Sequence, residues 1–128
     1  MIDANAKIRE YLLTDIPLVN LVAARIYAGR DVPPEGYQPA DGAAITFRLR
    51  GGSPDYDDAL LTPSVQFKCY AATEIDAMTC YRALYDALHN GTGATVLHGE
   101  SEILGQSLEE PSTQWPFVLS YFQIMLRQ

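Results

Sequence analysis

The side chains able to do chemistry in this sequence are few and scattered. His89 and His98 are the only histidines. Nine positions apart and expected on different elements, they do not form the one-turn pair with which a helix grips zinc, and each is expected at a surface or helix end. Asp55, Asp57 and Asp58 place three acids within four positions. That density suits calcium, but the later bidentate glutamate and the fixed glycine of a calcium loop are absent, so a solvated loop is the simpler reading. Glu100 and Glu102 would share one face of a strand, where paired carboxylates can serve glycoside chemistry, yet no cleft motif accompanies them. Cys69 and Cys80, the only cysteines, are expected as free thiols that behave as small hydrophobes, one facing inward from a strand and one near the edge of a helix's apolar stripe.

The usual motifs are missing as well. The sequence contains no Cys-x-x-Cys, no Gly-x-Ser-x-Gly and no phosphate-binding glycine motif. Asn90-Gly91-Thr92-Gly93 leads into a strand rather than a helix and reads as a turn; its glycosylation sequon has meaning only in an exported chain. The expectation is a protein that is not an enzyme, with no catalytic residue, cofactor or metal.

Composition narrows the class further. With 128 residues, 48% hydrophobic and 20% charged, the chain matches one globular domain spanning 1–128. Sixteen acidic against nine basic residues give a net charge of −7. Such a surface repels phosphate backbones and anionic lipid, so neither sequence-specific nucleic-acid binding nor membrane association is expected. No run approaches the roughly 18–20 consecutive apolar residues of a membrane-spanning helix. Met1-Ile2-Asp3-Ala4 also lacks a basic region followed by an apolar run, so the chain is expected to stay in the cytosol.

The organising stretch runs from Pro63 to Asn90. Val65, Phe67, Cys69 and Ala71 alternate with Ser64, Gln66, Lys68 and Tyr70, the period of a half-buried strand. Ile75, Met78, Tyr81, Leu84, Tyr85 and Leu88 then recur three or four apart, the spacing of an amphipathic helix over 74–90. Thr73 is placed to cap that helix, and Asn90-Gly91 to stop it. Laying the helix across the strand buries both apolar faces.

Elsewhere, Asp3 caps a first helix with Ala4, Ile8, Tyr11 and Leu12 on one side, and Pro17 opens a second with Leu18, Leu21 and Val22. Residues 15–24 carry no Lys or Arg, which argues against a DNA-reading helix–turn–helix. Arg25 to Gly29 is a short edge strand. Three prolines and two glycines within residues 30–42 read as a long irregular excursion. Residues 43–50 form a strand with Ile45, Phe47 and Leu49 inward. Residues 51–62 then read as an acidic loop, poorly ordered in an isolated subunit. A third strand starts at Ala94 and extends through Leu104, Pro111 turns the chain, and Trp115 to Leu126 form a last strand. Phe117, Leu119, Tyr121 and Met125 lie on one face of it, Val118, Phe122, Ile124 and Leu126 on the other. The fold class is α+β: a mostly antiparallel sheet of about four strands, one main helix on a face, and short N-terminal helices.

This order resembles the tail-completion, or tail-terminator, proteins of long-tailed phages and prophages. The resemblance rests on Leu18 to Tyr27, an apolar helix running into Arg25-Ile26-Tyr27, and on Val65 to Ala71 followed at once by the amphipathic helix. It implies a non-enzymatic subunit of a homo-oligomeric ring, a hexamer, that caps the tail tube and contacts tube and head-neck connector proteins. It also implies assembly in the bacterial cytoplasm and residence in the virion tail. Candidate subunit-interface residues, taken as exposed on the second sheet face and the loops, are Arg48, Arg50, Tyr56 and Tyr70. The alternative is a small cytosolic ligand- or peptide-binding module with a pocket lined by Phe67, Tyr81 and Tyr85 between sheet and helix.

Overall fold

The computed structural model describes residues 1–54, 60–89 and 93–128. Among these, three helices, α1 (Ala4–Leu12), α2 (Ile16–Val22) and α3 (Glu74–His89), accompany five strands: β1 (Ile26–Ala28), β2 (Ala44–Pro54), β3 (Leu60–Tyr70), β4 (Val96–Glu109) and β5 (Pro116–Arg127). The strands form one sheet in the order β1-β2-β3-β5-β4. β1 runs parallel to β2, and the remaining pairs are antiparallel. The architecture is therefore α+β with α3 packed on the sheet, and β1 is a fifth strand beside the four long ones.

The β3–α3 unit forms as its two periodicities require. Val65, Phe67, Cys69 and Ala71 are buried under α3, together with Tyr81, and Met78 and Tyr85 pack against the same core. The backbone N–H of Asp76 donates to Thr73 Oγ1 at 3.1 Å, so Thr73 caps the helix. The buried stripe is Ala77, Cys80, Tyr81, Leu84, Ala87 and Leu88. Two expectations shift here. Ile75 is 76% exposed, and Cys80 lies within the stripe, fully buried. The helix turns its face of small residues to the sheet because that face allows the closest approach, which leaves Ile75 on the far side.

Two glycines of β4 take the same approach further. A Cβ at Gly99 would lie 2.8 Å from Leu88 Cβ, and one at Gly105 would lie 2.6 Å from Val118 Cγ1 and 2.8 Å from the Tyr81 ring. Only glycine fits there.

The N-terminal helices begin at side-chain caps: Asp3 accepts from Ala6 N–H and Asp15 from Leu18 N–H, each at 3.1 Å. They place Ile8, Leu12, Leu18 and Val22 in the same core as α3, so all three helices lie on one side of the sheet. Tyr11 donates to the Ala87 carbonyl at 2.6 Å, tying α1 to α3, and Arg9 donates to the Ile26 carbonyl at 2.8 Å, tying α1 to β1.

Residues 51–62 are not a loop throughout. β2 continues to Pro54 and β3 begins at Leu60, with Gly52 opposite Pro63, Ser53 opposite Thr62 and Pro54 opposite Leu61. Gly51 and Gly52 take φ of 98° and 142°, absorbing a bulge between Leu49 and Gly52. The glycines bend the strand instead of ending it. Residues 55–59, with Tyr56 and the three aspartates, lie outside the described residues, as do Asn90, Gly91 and Thr92. β4 likewise runs past Leu104 to Glu109 by absorbing register shifts at Ser101/Ile103 and Ile103/Gln106.

Phe67 is fully buried, with the Phe47 ring at 5.3 Å and the Phe122 ring at 5.6 Å. Phe67→Ala is expected to cost about 3–5 kcal/mol in urea denaturation. Ile75→Ala, on the exposed side of α3, is expected to stay within about 0.5 kcal/mol; equal losses would contradict this packing.

Candidate assembly surface

The sheet face opposite the helices is divided into a covered end and an open end. The covered end forms because both Tyr70 and its β5 partner Phe117 project there, opposite Ala44 of β2. The Pro-rich excursion, regular only in one turn of 3-10 helix at Pro39–Asp41, folds over them. Tyr37 descends from it to make a second small core with Ala44, Tyr70 and Phe117, flanked by Tyr27, Trp115 and Leu119. The Tyr37 and Trp115 rings meet edge to face at 5.5 Å, and those of Tyr70 and Phe117 lie 5.2 Å apart. Tyr70 was expected to be exposed; it is 0% exposed, because the excursion supplies the cover that its strand face requires.

Polar groups hold the cover in place. Tyr37 donates its hydroxyl to the Gly42 carbonyl at 2.7 Å, closing the excursion on itself. The Tyr70 hydroxyl lies 3.1 Å from a Glu110 carboxylate oxygen and 3.4 Å from the Asp31 carbonyl. Lys68 reaches Asp31 at 3.3 Å and Glu110 at 3.9 Å, and its ammonium sits 4.9 Å from the centre of the Phe117 ring. Burial pushes the Tyr70 hydroxyl well up, and the Glu110 charge and hydrogen bond add to it. Burial also pushes Tyr37 up to about 12, against a smaller opposing effect of Arg25. At Asp31, burial raises the carboxyl, but the Lys68 charge and hydrogen bond, with Arg48 and Gln66, outweigh it and hold the carboxyl below its ordinary value.

The open end carries Arg48 and Arg50. Arg48 is exposed and approaches Asp31 at 4.0 Å. Arg50 donates to Ser64 Oγ at 2.8 Å, pairs with Glu102 at 3.5 Å and lies 4.0 Å over the Tyr121 ring. Ser64 donates to Glu102 at 2.6 Å. A β2 side chain therefore meets a β4 side chain across β3 and β5, which requires the sheet to coil toward this face.

The remaining chemical candidates separate. Glu102 is taken up by this network, whereas Glu100 is exposed opposite Gln123. The bulge after Ser101 breaks the simple alternation that would keep the two glutamates together. The histidines, far apart in sequence, meet: their rings are 5.7 Å apart, with Tyr85 stacked on His89 at 5.6 Å. Among the described residues no three His, Cys, Asp or Glu side chains converge as a metal site. Cys69 and Cys80 are both free and buried, and their mutual hydrogen bond together with burial raises the Cys69 thiol. Between sheet and helix Phe122 packs against Phe67 and Tyr85 at 5.6 and 6.0 Å, and Tyr85 against Tyr81 at 6.3 Å, so these rings meet as core rather than facing an open pocket.

Sequence reasoning missed the roles of Tyr37, Asp31, Lys68, Glu110 and Trp115. A signal existed. Phe117 and Leu119 needed a cover, and the excursion, with Val32, two adjacent prolines and Tyr37, is an apolar irregular segment able to supply one.

No protein-family model matches this chain, and no curated protein matches its sequence. Its fold is shared with solved structures. A chain of the virion of native gene transfer agent (GTA) particle aligns with a TM-score of 0.66 over 99% of this chain and 100% of that chain, at 12% identity. At that identity the likeness is one of fold, and it extends through the whole chain.

The tyrosines make a sign-determined prediction. A hydroxyl whose folded pKa is raised leaves the native state fully favoured below the ordinary value near 10 and disfavours it progressively as pH climbs toward about 12. Stability should therefore fall across that alkaline window. Tyr37→Phe should cost about 1 kcal/mol at neutral pH through the lost hydrogen bond and flatten part of the alkaline decline, as read from urea midpoints against pH. An undiminished decline in the variant would remove Tyr37 from this role.

Proposed function

We propose that this chain is a structural subunit of a phage-like particle and, within that class, a tail-completion protein that forms a ring closing the tail tube. One observation carries the reading: the domain shares its fold from end to end with a chain of a gene transfer agent virion. The finer role rests on the resemblance of the order of elements to tail-terminator proteins, from the α2–Arg25-Ile26-Tyr27 junction to the β3–α3 unit.

Physical features favour the same reading over catalysis. Each displaced pKa has a packing cause: Tyr37 and Tyr70 are raised by burial under the excursion, Asp31 is lowered by the charges beside it, and Cys69 is raised by its hydrogen bond to Cys80 and by burial in the helix-side core. Large apolar side chains remain exposed on the strands, with Leu104 72% and Ile103 51% accessible. A subunit that acts by meeting copies of itself and other particle proteins uses such surface. In this reading the partners are identical subunits, a hexamer by resemblance, with the tube below and connector proteins above. The subunits assemble in the bacterial cytoplasm and remain in the virion.

Deleting the gene from a phage or prophage that encodes it should leave filled heads beside unjoined tails of abnormal length. Supplying the chain in trans should restore joined particles. Arg48→Glu combined with Arg50→Glu should restore them only in part while the purified subunit keeps its thermal midpoint within a few degrees. Normal infectious particles in the complete absence of the chain would refute the assignment.

A further inference from the structure

α3 and β4 approach closely at Leu88 and Gly99, where a Cβ on the glycine would lie 2.8 Å from Leu88 Cβ. His89 follows Leu88 at the last position of α3, and His98 precedes Gly99 on β4. The close approach therefore sets the two imidazoles side by side, with ring centres 5.7 Å apart and planes at 57°. Tyr85, one turn earlier on α3, stacks on His89 with centres 5.6 Å apart and planes at 18°, which limits how far that ring can turn. His89 is exposed and His98 half-buried, so both can be reached from solvent. Neither imidazole takes part in a hydrogen bond or ion pair among the described residues, which leaves their nitrogens available.

We propose that His89 and His98 together bind one divalent transition-metal ion of the zinc class within a single subunit, clipping the end of α3 to the edge strand β4.

The spacing fits a shared ion. A ring nitrogen holds zinc at about 2 Å, which puts the ion about 3 Å from the ring centre, so two imidazoles on one ion stand about 5–6 Å apart. The 5.7 Å between these rings asks only for rotation of the side chains, not for movement of either element. Donor type then selects the ion. Neutral imidazole binds Zn²⁺, Ni²⁺ and Cu²⁺, whereas Mg²⁺ and Ca²⁺ require oxygen ligands. Among the described residues no third His, Cys, Asp or Glu joins the pair, so water fills the remaining positions of the bound ion. No carboxylate or carbonyl braces either ring from behind, as it does for tightly held metal histidines. The pair suits an ion that exchanges with solution, not one on which folding depends.

The placement of the two ligands fixes the effect of the ion. They are nine positions apart on different elements and adjoin because α3 is docked against β4. The unfolded chain gathers them less well, so the metal favours the native state by mass action. Within the sheet β4 is held by β5 alone, and the clip adds a second attachment near its start.

Calorimetric titration of the untagged chain with Zn²⁺ alone should give one ion per chain. Excess Zn²⁺ should raise the thermal midpoint by several degrees, EDTA should restore it, and the sedimenting mass should stay that of the metal-free protein. His89→Ala and His98→Ala should each weaken binding by about tenfold or more and remove the shift, while Mg²⁺ should leave all three chains unmoved. Both side chains reach solvent, so the variants should keep the metal-free midpoint; if His98→Ala lowers it, His98→Gln replaces it under the same outcomes. Either variant binding Zn²⁺ as tightly as the wild type would overturn the shared site, as would the absence of saturable binding at millimolar Zn²⁺. One ion per two chains with a doubled mass would mean a site between subunits and overturn the clip.

Discussion

The structure depends on burying both faces of β5. Val118, Phe122, Ile124 and Leu126 project to one side and Phe117, Leu119 and Tyr121 to the other. Burying a side chain of this size is worth about 1.5–3 kcal/mol, so leaving either row in water would forfeit several times that. β5 therefore sits inside the sheet between β3 and β4, and each of its faces needs a cover. On one side the cover is α3, with α1 and α2 extending the same layer. On the other it is the excursion, which supplies Tyr37 from an irregular segment. Pro-rich chain suits that task, because it loses little conformational freedom when laid down and offers apolar rings without needing strand partners.

The cover on the second face is incomplete, and it leaves that face with two unlike ends. At one end Tyr70 and Phe117 are sealed under the excursion by the Lys68, Asp31 and Glu110 contacts. At the other end the same strands expose Arg48 and the Arg50–Ser64–Glu102 network. Buried hydroxyls and a lowered carboxyl are often signs of catalysis, but here each has a packing cause. The Tyr70 hydroxyl is raised because burial in a core disfavours its charged form, and at Asp31 burial is outweighed by the lowering effect of Lys68 and Arg48.

Long exposed strand edges are a hazard to a soluble monomer, which usually blunts them with charge, bulges or short length. At β4 this chain uses bulges and the exposed carboxylates of Glu100 and Glu109, and leaves Ile103 and Leu104 exposed beside the bulges. Such an edge discourages indiscriminate strand pairing.

Much of this was legible in local pattern. The alternation of Val65, Phe67 and Cys69, the helical spacing from Met78 to Leu88, and the caps at Asp3 and Thr73 depend on residues close in sequence, and the structure keeps them. The demand that β5 be covered twice was also readable from its composition. What covers the second face was not, because Tyr37 and Phe117 are joined only by the folded chain, and so Tyr70 was expected in solvent. Glycine was ambiguous for a similar reason. Gly51 and Gly52 read as a loop, yet within a paired hairpin they make a bulge, and at Gly99 and Gly105 the lack of a side chain matters because Leu88 and Tyr81 arrive from α3 and Val118 from β5. The meeting of His89 with His98 and of Arg50 with Glu102 likewise awaited the sheet's coil and the helix's docking. Periodicity determines which face of an element is apolar; which elements meet, and which surface is left over, follows from packing that no local window contains.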